Sequence, residues 1–306
     1  MLAANPFVRK SSQERKPDFL PQVSIYKTET YEPAIVEEAV RFHFDALELS
    51  RFIRAGQKIV VKPNLIMKRD PGDAVTTHPA LVEAVIRRLQ AMGAQDITIA
   101  ESPGGPYVVP RLQSLYQTCG MTEVPQRTGA VLNFDTSSRQ LDGNGQVTRH
   151  FTVIHPIADA DLIINICKLK THCMTVLSGA VKNLFGCVPG LMKPELHMRY
   201  PQKEDFCRML LDLSAALPPV ISFVDAVDAM EGDGPTGGRK KHVGLTLCSA
   251  DRYALDLVNA AVLGIDPASI VTVRQAAERG LCPASLDEIQ LLGDQDALTQ
   301  AGPFLP

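Results

Sequence analysis

Apolar residues along this chain follow two periods in turn. Compact aliphatic runs at 23–26, 58–61, 96–100, 162–167, 220–224, 243–249 and 289–292 read as strands, and the unbroken run at 162–167 reads as one buried on both faces. Between them, apolar positions recur every three or four residues, as in Ile35, Ala39, Val40 and Phe44. That spacing predicts amphipathic helices over 34–44, 78–92, 110–119, 202–217, 251–263 and 269–279. Pro79 suits a first helical turn, and Gly93 stops the helix it opens. Strand and helix alternating at this length predict βαβ units, hence an α/β fold with a mostly parallel, Rossmann-like sheet flanked by helices.

Residues 130–155 break the rhythm: 131–134 and 147–154, around Asp142-Gly143-Asn144-Gly145, predict a hairpin, a small antiparallel excursion. Residues 1–21 are charged throughout and are expected to form a flexible lead-in, 22–294 a single α/β domain carrying that insertion, and 295–306 a tail.

Composition narrows the functional classes. Thirty-one Lys and Arg against 34 Asp and Glu give a net charge of −3, so there is no basic footprint for nucleic acid. The absence of tryptophan and an aromatic share of 6% leave no base-stacking platform. No apolar run reaches the ~18 residues of a membrane helix, and the first twenty residues lack a signal-peptide core. No membrane partner and a cytoplasmic location are therefore expected. The seven cysteines form no C-x-x-C pair, so no zinc ribbon or ferredoxin-type loop can be written. Most of them read as small buried apolar residues.

Candidate chemistry gathers just past four strands: Lys62 with Asn64, Glu101 with Ser102, Lys168 with Lys170 and His172, and Asp225 with Asp228. Parallel strands present their carboxyl ends on one edge, so these groups are predicted to converge on one cleft. The plainer alternative is that loops after strands are simply polar. The central stretch is 161–190, where the apolar strand passes into Lys168, Lys170 and His172 and then into a helix predicted over 175–185, with Gly186 as its C-cap. On that helix Val176, Leu177, Ala180, Val181 and Leu184 make one apolar face, leaving Ser178, Gly179, Lys182 and Asn183 on the other. A glycine inside a helix costs up to ~1 kcal/mol relative to alanine. Gly179 therefore implies a close approach, either by a ligand or by a packed neighbouring helix.

Lys62, Lys168, Lys170 and Lys182 together would suit a phosphate or carboxylate, with Asn64, Ser102, Ser178 and Asn183 as further substrate-binding candidates. His172 is a candidate proton carrier because histidine titrates near neutrality, and Lys170 and Lys182 are the other catalytic candidates. Asp225 and Asp228 are spaced to hold a divalent cation. His78 reads better as a helix-start residue. The loop 231–238 reads as a flexible surface turn, since neither a Walker A pattern nor a strand-linked G-x-G-x-x-G is present.

The motifs Lys62-Pro63-Asn64, His78-Pro79, Glu101-Ser102, Lys168-Leu169-Lys170-Thr171-His172, Gly179-Ala180-Val181-Lys182-Asn183-Leu184-Phe185-Gly186 and Asp225-Ala226-Val227-x-Ala229-Met230-Glu231-Gly232-x-Gly234-Pro235 occur in that order. Over about residues 22–265 they resemble domain-of-unknown-function family 362. The resemblance implies an α/β domain and leaves the general activity unassigned. Many members of that family carry a ferredoxin-like segment with paired 4Fe–4S motifs. This chain has no C-x-x-C-x-x-C run, so an intrinsic 4Fe–4S cluster is not expected, and a separate ferredoxin is the partner the resemblance implies. Two function classes follow. One is an enzyme acting on a small anionic substrate, reductive if an external ferredoxin supplies electrons. The other is a non-catalytic module that binds an anion or docks an electron-transfer protein.

Overall fold

The computed structural model describes residues 20–305. All but the end of the expected lead-in lies outside the described residues. The first strand, β1 (Gln22–Lys27), is followed by α1 (Pro33–Ala46), β2 (Lys58–Pro63), α2 (Pro79–Ala91), β3 (Asp96–Ile99), α3 (Val109–Thr118) and α4 (Glu123–Thr128). Next come β4 (Val131–Leu132), the pair β5 (Ser138–Asp142) and β6 (His150–Ile154), and a single turn, α5 (His155–Ala158). The centre of the chain is β7 (Leu162–His172), β8 (Val176–Ser178), α6 (Ala180–Asn183), α7 (Met192–Arg199) and α8 (Lys203–Ala216). It closes with β9 (Val220–Glu231), β10 (Arg239–Ser249), α9 (Arg252–Leu263), α10 (Val271–Glu278) and β11 (Gln290–Gly293).

Eight of these strands lie side by side in the order β11-β1-β10-β9-β7-β2-β3-β4. Along this path only β10 runs against its neighbours, so the sheet is mostly parallel and flanked by helices on both faces, as the alternation predicts. The strand-to-strand register fixes which residues share a face, because side chains alternate along a strand. Ile164, Ile166 and Phe223 pack with Val36, Val40 and Phe44 of α1 and with Leu81 and Val85 of α2. Cys167, Leu169 and Val224, one position out of phase, pack with Ala254, Leu257 and Val258 of α9. The α1/α2 face and the α9 face are thus distinguished at these positions.

Three expectations are corrected. The segment 175–185 is not one helix. Val176 takes a left-handed φ of 66°, which a β-branched residue adopts only under constraint. The chain then forms β8, antiparallel to β7, before α6 begins at Ala180. α6 starts there because the Asp256 carboxylate of α9 accepts from the Ala180 and Val181 amides at 2.6 and 2.9 Å. Gly186 lies inside the 3-10 turn Leu184–Cys187 and is no C-cap.

The second correction concerns the excursion. It is real, but its first arm is β5, paired with β6 from Ser138 opposite Ile154 to Asp142 opposite His150. Val131 and Leu132, equally apolar, instead extend the main sheet beside Thr98 and Ile99. Third, β7 and β9 run on well beyond the apolar runs that predict them, so Lys168, Lys170 and Asp225 are strand residues. The last residues are built in as well: Phe304 is buried in the α9 core, and the Leu305 carbonyl accepts from the Gly232 amide.

Candidate functional site

The carboxyl ends of β1, β2, β3, β7 and β9 meet at one edge, and β7 overhangs it. Pro63, the last residue of β2, pairs with Ile166, and β7 continues to His172 with β8 filling the side that β2 vacates. The overhang carries Lys168, Lys170 and His172 on the α1/α2 face. Lys62 and its cross-strand partner Asn165 sit on the opposite face. The four predicted strand ends share an edge but divide between two faces.

On the α1/α2 face Lys168 lies in a closed network. Its ammonium forms an ion pair with Asp225 Oδ2 at 2.7 Å and donates to the Tyr31 hydroxyl at 2.9 Å and to the Asp228 carbonyl at 3.0 Å. That carbonyl is free because the β7–β9 register slips: Lys168 pairs with Asp225 but Lys170 with Met230. Asp225 in turn accepts from the Tyr31 hydroxyl at 2.8 Å and from the His78 amide at 2.9 Å. The Tyr31 ring stacks on His78 with centroids 3.7 Å apart, and burial followed by the charge of Asp225 pushes its phenol up. Burial also lowers His78 to about 4, which leaves it neutral near pH 7. Its Nδ1 caps α2 by accepting from the Ala80 amide at 3.2 Å.

Lys170, two residues on, is as deeply buried as Lys168, at 0% exposure. It has no carboxylate partner among the described residues. Its ammonium donates to the Val75 carbonyl at 2.8 Å and to the Pro235 carbonyl at 3.2 Å. Burial first, then the like charges of Lys168 and Lys182, lower it to about 7. The Gly-rich loop that supplies Pro235 is tied down: Thr171 Oγ1 donates to the Gly232 carbonyl, and the Cys173 amide to that of Gly234.

His172 closes the overhang. Its Nδ1 accepts from the Met174 and Thr175 amides at 3.0 and 3.3 Å. Two donors on Nδ1 place the ring proton on Nε2. Burial, then Lys182, Lys170 and His197, lower His172 to about 3, so near pH 7 it is a neutral N–H donor. The constrained Val176 belongs to the turn wrapped around this ring.

On the other face Lys62 pairs with Glu101 Oε2 at 2.6 Å, both side chains being buried. Gly186 backs directly onto this pair, and a Cβ there would overlap the Glu101 carboxylate and the Lys62 ammonium. Lys193 of α7 donates to the Ser102 carbonyl. Lys182 has neither hydrogen bond nor ion pair among the described residues and rests over the Phe185 ring at 5.0 Å. Burial, then the charge of Lys62, lowers Lys182 to about 8; burial lowers Lys193 to about 8 against the opposing pull of Glu101. Donors with little negative charge between them are the signature of an anion site.

A family model described as Domain of unknown function (DUF362) matches residues 59–261, well over half of the chain. The chain belongs to this family. Within DUF362, the matched span holds Lys62, Glu101, the whole β7 overhang, Lys182 and Asp225. The thylakoid-associated protein sll1697 of Synechocystis sp. is 31% identical over 278 residues, covering 87% of this chain and 81% of that protein. Among solved structures, the lactate racemase apoprotein from Thermoanaerobacterium thermosaccharolyticum is similar over 80% of this DUF362 chain and 57% of its own length. At 13% identity and a TM-score of 0.48 that likeness is too loose to carry function. No helix among the described residues is long and apolar enough to cross a membrane.

Of the predicted site residues, Lys170, His172 and Lys182 are mutual electrostatic neighbours, and Lys62, Ser102 and Asn183 lie around the Glu101 pair. Ser178 lies opposite Lys170 in the β7–β8 ladder, and the Asn64 amide is held by Thr77 Oγ1. Asp228 bonds His242 at 3.0 Å on the β9–β10 rim. With Asp225 held by Lys168, no group of three or more His, Cys, Asp or Glu among the described residues is arranged around a metal position. Gly179 faces a packed neighbour, because a Cβ there would overlap the Asp256 carboxylate of α9. Sequence reading passed over Tyr31, Lys193 and His197. Tyr31 carries no motif signal, and α7, where none of the residues is buried, has no apolar stripe to mark it.

Proposed function

We propose that this DUF362 protein is an enzyme that binds a small anion and exchanges a proton with it through Lys170. The observation that supports it is a fully buried lysine amine held, among the described residues, by two carbonyls, whose proton is loosened first by burial and then by the charges of Lys168 and Lys182. A lysine with a proton affinity near neutrality can both take and return a proton at physiological pH. Lys182 and Lys193 supply the anion's counter-charge, and the Nε2–H of His172 adds a directed neutral donor. In this reading His172 orients rather than carries the proton, since its low affinity leaves it neutral near pH 7.

The test is thermal-shift titration with phosphate, sulfate, acetate and glycolate on wild type, Lys182→Met and Lys170→Met. An anion should raise the wild-type Tm and have little effect on Lys182→Met. Absence of any anion effect on wild type at tens of millimolar would overturn the reading. If Lys170→Met retains full turnover on an identified substrate, the protein's chemistry lies elsewhere and the anion module alone survives.

A further inference from the structure

Polar atoms without partners surround the Lys62–Glu101 pair. Asn183 Oδ1 and Ser102 Oγ are both buried and meet no hydrogen-bonding group. The orientation of Asn183 is not arbitrary. The Ala180 carbonyl can only accept, so the Asn165 amide must turn Nδ2 toward it, as it does at 3.0 Å. Asn165 Oδ1 must then receive a donor, and Asn183 Nδ2 supplies it at 2.8 Å. The chain of constraints leaves Asn183 Oδ1 pointing away as an acceptor with no donor. Burying such an atom unmet is costly, and native folds carry few of them without a ligand or water to fill them. Asn165 is the cross-strand neighbour of Lys62, and Asn183 follows Lys182 on α6, so this acceptor belongs to the same neighbourhood as the ion pair beside Lys182 and Lys193.

We propose that the anion this site takes also carries a hydroxyl: its negative group sits against Lys182 and Lys193, and its hydroxyl donates to Asn183 Oδ1 with Ser102 Oγ alongside. The inference rests on the anion-binding reading and adds the identity of the second group. An ammonium would also donate to Asn183. It would do so beside Lys62, Lys182 and Lys193, with the Glu101 carboxylate already bound to Lys62, and a further positive charge is repelled there. A neutral hydroxyl meets the acceptor without adding charge, whereas a plain carboxylate leaves it unmet.

Isothermal titration of the full chain with acetate, glycolate and glycine, and with propionate against glycerate, tests this. Wild type should bind glycolate about tenfold more tightly than acetate, the factor of one hydrogen bond to an otherwise unmet buried group. Glycine should bind more weakly than glycolate. Asn183→Leu should bring the glycolate-to-acetate ratio to about one while acetate binding persists. Equal binding of acetate and glycolate by wild type overturns the hydroxyl assignment and leaves the anion site intact. Binding of neither overturns the anion reading itself, and glycine as the tightest ligand overturns the neutral-donor argument. Should Asn183→Leu fail to fold, the wild-type ratios decide.

Discussion

Lys168 and Lys170 stand two positions apart on one strand, on one face, buried alike, and meet opposite conditions. Lys168 faces a carboxylate, a phenol and a carbonyl, each within 3.0 Å. Lys170 faces two carbonyls and two neighbouring cations. Taking an ammonium out of water is expensive in both places, and only at Lys168 is the loss offset by an opposite charge. The same residue type is therefore scaffold at one position and, in the proposed function, the proton-exchanging group two residues on. What separates them is the carboxylate of Asp225, since each lysine makes two hydrogen bonds and both are buried.

The comparison breaks most sharply at Lys168. Lys168→Met should destabilise the fold by ~3–5 kcal/mol in chemical denaturation, because it leaves the Asp225 carboxylate buried without its cation. Adding Asp225→Asn should recover part of that loss. A penalty below ~1 kcal/mol would show that the network is not scaffold.

Lys170 should show itself in pH dependence. Its folded value of about 7 lies below the ordinary lysine value of 10.5, so between these pH values the unfolded chain binds a proton that the folded chain does not. Stability should therefore rise as pH climbs from about 7 toward 10.5, with Lys182 and Lys193, both at about 8, adding to the rise. The contribution of Lys170 is on the order of a few kcal/mol. Lys170→Met should flatten the rise of Tm between pH 7 and 9, and an unchanged slope would refute the assignment.

Smaller effects sharpen the boundary between scaffold and site. Gly179→Ala and Gly186→Ala each push a methyl into a buried carboxylate and should destabilise by ~1–3 kcal/mol. Only Gly186→Ala should also weaken anion binding, since only Gly186 backs onto the Lys62–Glu101 pair. The smallest effect should come from an exposed ion pair. Arg208 and Asp205 meet at 2.9 Å with both side chains 45% exposed. Arg208→Ala should change stability by no more than about 0.5 kcal/mol.

The sheet edge was legible in the sequence because buried strands are long apolar runs and their polar exits are easy to see. The division of those exits between two faces was not. It depends on Lys62 pairing with Asn165 and Lys168 with Asp225, a register set by contacts far apart in the chain. The helical period of Val176, Leu177, Ala180, Val181 and Leu184 is present in the sequence, yet a carboxylate from Asp256 decides where the helix begins, and nothing near residue 180 announces it. Tyr31 was hidden for the same reason: its hydroxyl has work to do only when β9 is beside it.

The hydrogen bond from Tyr31 to Asp225 spans 194 positions, and Ser24 of β1 lies opposite Cys248 of β10. The edge that holds the site is therefore among the last parts of the molecule to exist during synthesis. A nascent chain that has reached only β7 displays its lysines with no partner strand, a partly built sheet that tends to misassemble. Such non-local pairing also slows folding, since loop closure must come before any contact rewards it. The assembled edge should consequently appear late and all at once, when β9 and β10 have emerged and the first strand has found its place between β10 and β11.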